Sequence, residues 1–103
     1  YVQSKEITGK IIEISNVKNF NKQDLKNKII LLDSADPGYD FIFSFKILGL
    51  ITKYGGANSH MSIRCIDEGI TEAIRVGDLL YLSLNNAKTV NINPKQKTIN
   101  IIN

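Results

Sequence analysis

Tryptophan is absent from this 103-residue sequence, and histidine, cysteine and methionine occur once each. A single cysteine, Cys65, excludes an internal disulfide framework. One His with one Cys leaves too few ligands for a His/Cys zinc site, so no metal ligands are assigned. Any imidazole chemistry must run through His60. Arginine is scarce as well, with only Arg64 and Arg75 among thirteen cations. Nucleic-acid surfaces concentrate Arg and Lys with exposed aromatics on one face. The dispersed lysines and the net charge of +3 do not fit that pattern, and no nucleic-acid partner is expected. No apolar run nears the roughly 18 residues that a membrane helix needs, and no membrane partner is expected either. The N-terminus lacks a charged-then-apolar export signal. A free thiol without such a signal points to the cytoplasm.

What is present suffices for a packed core, with 43% hydrophobic and 22% charged residues. The length fits one small domain, residues 1–103, and is short for a whole enzyme. The first residue is Tyr1, so the expectation is a fragment of a larger multi-domain enzyme.

The β-branched run Glu6 to Ile14 predicts a strand, with Gly9 as a candidate bulge. Ser15 to Lys28 is polar and reads as a loop with one helical turn. Ile29-Ile30-Leu31-Leu32 has no alternation, as in a strand buried on both faces. Asp36-Pro37-Gly38 is a turn signal. Tyr39 to Phe45 fits either a strand or a short helix. Leu48 to Thr52 reads as a strand broken by Gly55-Gly56. A helix is predicted over Ser59 to Glu68, with Met61, Cys65 and Ile66 near one face and Gly69 as the residue that ends it. Leu79 to Leu84 reads as a strand, and Thr89 to Asn93 with Thr98 to Ile102 as a hairpin.

Chemistry concentrates between Leu50 and Ile70. A strand ends, two glycines allow a tight turn, and a helix begins with His60 in its first turn. The first N–H groups of a helix lack internal partners, and the helix dipole adds about half a positive charge there. A phosphate at that place is stabilised. Gly55 and Gly56 leave the backbone bare for the approach of a bulky donor. By spacing alone, a His at a helix start is more often an ordinary surface residue.

Gly49-Leu50-Ile51-Thr52, Gly55-Gly56 and Ser59-His60, with Gly69-Ile70 downstream, resemble the swivelling phosphohistidine domain of the phosphoenolpyruvate-utilising enzymes. That family includes pyruvate phosphate dikinase, phosphoenolpyruvate synthase and enzyme I of the sugar phosphotransferase system. Its motif runs roughly G-I-V-T-x-x-G-G-x-T-S-H-A-A-I-x-A-R-x-x-G-I-P-A-V-V-G. The resemblance extends from about Glu6 to Ile102 and implies an α/β fold of three layers, β/β/α. Four departures stand out. Asn58 replaces Thr, Met61-Ser62 replaces Ala-Ala, Ile66 replaces Arg, and Thr71 to Arg75 replaces P-A-V-V-G.

The resemblance implies that His60 is a covalent nucleophile in a phosphotransferase of the dikinase type. It accepts a phosphoryl or pyrophosphoryl group from ATP and swings it to an acceptor in a second active site. Gly55, Gly56, Asn58, Ser59 and Arg64 would support the phosphate, with Lys53 a weaker candidate. Mg²⁺ and ATP, or phosphoenolpyruvate, would be held by other domains, and none by this fragment alone. The implied partners are an ATP-grasp nucleotide-binding domain and an acceptor-site domain of the same protein. An imidazole with the ordinary pKa of about 6.5 is unprotonated at neutral pH, and a positive helix end favours that form further. Two alternatives stay open. One is a phosphoenolpyruvate-dependent carrier of the enzyme I type. The other is a catalytically silent interaction module, motivated by the departures at Thr71 to Arg75. Cys65 reads as a packing residue.

Overall fold

The computed structural model describes residues 5–14, 22–34, 37–54, 60–73, 78–96 and 98–102. Branched apolar residues build most of the strands: β1 (Ile7–Glu13), β2 (Ile29–Ser34), β3 (Gly49–Tyr54), β4 (Thr71–Ala73), β5 (Thr89–Asn93) and β6 (Thr98–Ile101). They form a mixed sheet in the order β4-β3-β2-β1-β5-β6. Neighbours from β1 to β4 run parallel, whereas β5 is antiparallel to β1 and β6 to β5. Among the described residues, the α-helices are α1 (His60–Glu68) and α2 (Asp78–Asn85).

β1 belongs to both ladders. Ile7 to Lys10 pair with β5, and Ile11 to Glu13 pair with β2. The start of β1 also passes over the parallel strands. The Thr71 hydroxyl on β4 donates to the Lys5 carbonyl at 2.8 Å, although β3 and β2 separate β4 from β1 in the sheet. The Ile7 side chain lies where a β-carbon on Gly49 of β3 would sit. The antiparallel ladder is therefore folded over one face of the parallel strands. The α/β fold and its β/β/α layering follow from that crossing.

Two apolar cores result. Ile30, Leu32 and Leu50 face Leu25, Ile42, Phe43 and Cys65, beneath α1. Ile29, Leu31 and Ile51 face Ile7, Val90 and Ile92, together with Tyr81 and Leu84 of α2. β2 feeds alternate residues to both cores, so its run of four aliphatic residues is wholly buried.

Several local expectations need correction. Leu79 to Leu84 is helical, not a strand. Tyr81 and Leu84, three apart, are buried, while Leu79 is 85% and Leu82 60% exposed. That is a helical period, and an apolar run of this length does not by itself separate the two structures. Gly9 pairs regularly with Val90 and forms no bulge. Its lack of a side chain makes room for Leu48. Tyr39 to Phe45 takes the helical alternative, within a 3₁₀ helix Pro37–Phe45. Ile66 is 53% exposed and does not share the buried face of Cys65. β4 was not expected, because three residues reading Thr-Glu-Ala carry no strand pattern. The predicted helical turn before Lys28 is a 3₁₀ turn, Lys22–Leu25. Gly69, at φ +69°, ends α1 as expected.

Candidate phosphohistidine site

The site grows from the carboxyl end of β3. Leu50 and Ile51 anchor that strand in the two cores, and the strand closes at Tyr54. α1 then begins at His60, its first residue. Ligands in parallel α/β sheets bind beyond the carboxyl ends of strands, where following helices present their N-termini. His60 holds that position in the chain. Gly55, Gly56, Asn58 and Ser59, expected to support a phosphate, lie outside the described residues, as does Asp36 of the predicted turn.

α1 is fixed from below by Cys65, which is fully buried against Ile30, Leu32 and Leu50. Burial, and secondarily the Glu72 carboxylate, push the Cys65 thiol pKa far up, which keeps it neutral and unreactive. Cys65 is thus a packing residue, as expected.

Arg64 lies four residues after His60, on the same helical face. Its guanidinium stands 4.9 Å from the centre of the Phe43 ring. Its Nη2 is 3.7 Å from Oε1 of Glu68 one turn further on. These contacts hold the guanidinium between Phe43 and Glu68. Lys53 is placed differently. Its ammonium sits 5.2 Å from the centre of the Tyr81 ring, on the α2 side of the sheet. The Tyr81 hydroxyl in turn donates to Glu13 Oε1 at 3.2 Å. Lys53 is therefore drawn away from α1.

Sequence reasoning missed two buried polar residues near α1. The Thr52 hydroxyl, on β3, is buried and has no hydrogen-bond partner among the described residues. Glu72, on β4, is fully buried and electrostatically coupled to Cys65. The signal for Glu72 was its place in the segment that departs most from the motif. Thr52 gave none, since it matches the motif.

A strand feeding a helix that opens on the sole His is the arrangement on which comparison with known proteins decides. The family described as the mobile domain of PEP-utilising enzymes matches residues 24–97. The chain belongs to this family. The match takes in β2, β3, α1, β4, α2 and β5, and so includes His60 and Arg64. The segment after α1 forms the short parallel strand β4, which carries a buried glutamate, Glu72.

Individual relatives point elsewhere. The chain is 30% identical over 91 residues to the ATP-dependent RNA helicase RhlB of Citrobacter koseri, covering 88% of this chain and 20% of that protein. It is 29% identical over 91 residues to the proteins of the same name from Escherichia coli K12 and Shigella boydii, with the same coverage. The chain thus spans about a fifth of the length of these curated relatives, 20% in each case. This mobile domain contains no G-x-x-x-x-G-K-[ST] phosphate loop, the element by which many ATPases cradle nucleotide phosphates.

Proposed function

We propose that this mobile domain is the phosphohistidine carrier of a dikinase-type phosphotransferase, with His60 as the nucleophile. The observation that carries the reading is the position of His60, first residue of an α-helix of nine residues within the family match. A ring nitrogen of His60 forms a bond to phosphorus as the bond from phosphorus to the leaving oxygen breaks. The electron pair departs with ADP, or with AMP when a pyrophosphoryl group moves. In the second step an acceptor oxygen attacks the same phosphorus, and the nitrogen recovers its pair.

The N–H groups of the first turn favour the anionic group on His60. Arg64 adds a cation one turn away, oriented by Phe43. Gly55, Gly56, Asn58 and Ser59 complete the phosphate environment in this reading. Phosphoryl transfer depends on position and charge neutralisation, so a small rigid carrier suffices if other domains bind the reactants. Those domains, an ATP-grasp domain and an acceptor-site domain, would hold ATP with Mg²⁺, which neutralises phosphate charge when bound. Movement of the carrier between them is a rigid-body step. The reading places the protein in the cytoplasm. Among the described residues, no helix is long and apolar enough to cross a membrane.

The test is to incubate the full-length protein with β- and γ-labelled ATP, and separately with labelled phosphoenolpyruvate. Label from ATP supports the dikinase reading. Label from phosphoenolpyruvate alone would replace it with an enzyme I-type carrier. Label from neither would favour a silent module.

A further inference from the structure

Away from α1, a cleft lies at the seam between the two ladders. Lys10 of β1, Lys28 before β2 and Lys88 before β5 converge on it, with Asp24 as the acidic residue of its wall. The pairing Ile11↔Ile29 sets Lys10 beside Lys28, one position back on each strand. The Ile11 amide donates to the Lys88 carbonyl at 3.0 Å, which fixes the third lysine's backbone at the same place. Like charges on neighbouring strands are unfavourable, so their clustering asks for a counter-charge. Lys28 is half-buried, which limits the relief that water provides. Asp24 offsets one of three cations. The rest of the cleft is apolar, lined by Ile11, Ile12 and Ala87.

We propose that this cleft binds a small organic phosphate, with its phosphate among Lys10, Lys28 and Lys88 and its apolar part on the isoleucines. Lysine is a point charge without arginine's planar fork, which suits a compact phosphate of variable orientation. The cleft is open to solvent, and its volume of about 480 Å³ falls in the range of small-ligand sites. The proposal does not depend on His60.

Lysine acetylation of the full-length protein, read residue by residue by mass spectrometry, tests it. Inorganic pyrophosphate is the probe, and sodium chloride at matched ionic strength is the control. The expected result is at least fivefold slower acetylation of Lys10, Lys28 and Lys88, with Lys95 unchanged. The pyrophosphate concentration that half-protects Lys10 and Lys88 should rise about tenfold in Lys28→Gln and stay unchanged in His60→Ala. Equal protection of all lysines, or the same protection by sodium chloride, would overturn the proposal. Stronger protection by a single-stranded RNA oligonucleotide than by pyrophosphate would overturn it in favour of nucleic acid.

Discussion

The Ile7 side chain fills the space that a β-carbon on Gly49 would need, so β1 and β3 touch across the sheet face without being sheet neighbours. A methyl at Gly49 would also approach the Thr71 carbonyl to 3.2 Å, and that oxygen belongs to the backbone of β4. Gly49→Ala is therefore expected to destabilise the domain by about 1–3 kcal/mol, the usual cost of overpacking. Urea denaturation checks this. A Gly49→Ala variant as stable as the parent would show that the antiparallel ladder does not press on the parallel strands as described.

The helical register of α2 predicts an asymmetry. Leu82 is exposed and Leu84 buried, whereas a strand would place both on one face. Leu84→Ala is expected to cost about 2–5 kcal/mol. Leu82→Ala should stay within roughly 0.5 kcal/mol of the parent. Thermal melts of the two variants distinguish the registers.

How much of this was legible in the sequence depends on whether a residue's neighbours are close in the chain. β2 announced itself because a strand buried on both faces leaves an unbroken aliphatic run. α1 was legible from its punctuation, with His60 near the start and Gly69 at the end. α2 was not, because Leu79 to Leu84 is apolar in both periods and only the packing of Tyr81 and Leu84 selects the helix. β4 was invisible, since its strand character comes from pairing with β3 and not from its own residues. At the site, the candidate nucleophile stood out because only one histidine exists. The Phe43–Arg64 stack needed the fold, because twenty-one positions of chain separate its members.

Cys65 yields a prediction about pH. Burial and Glu72 raise its pKa in the folded state above the ordinary value of 9.0. The unfolded chain therefore releases this proton first as pH rises. The neutral thiol's contribution is whole below pH 9.0 and is lost progressively above it. The expected slope is about 1.4 kcal/mol per pH unit from this one group. Stability curves for the parent and Cys65→Ala should diverge in slope above that pH and run parallel below it. The native thiol should also resist alkylation until the protein unfolds.

Arg64 gives a graded outcome. If it supports the phosphate on His60, Arg64→Ala should slow labelling about tenfold, equivalent to about 1.4 kcal/mol of barrier. The fold should persist, because a partly exposed i,i+4 ion pair and the contact with the Phe43 ring each contribute about 1 kcal/mol or less. Rapid-quench labelling with circular dichroism separates the two effects. An unchanged labelling rate would remove Arg64 from the phosphate environment.

The most direct measurement is the site of the phosphoryl group itself. After incubation of the full-length protein with its donor, ³¹P NMR and peptide mapping should find an acid-labile, base-stable phosphoramidate on His60, absent in His60→Ala. Label that forms equally well without His60, or maps to another residue, would contradict the carrier reading.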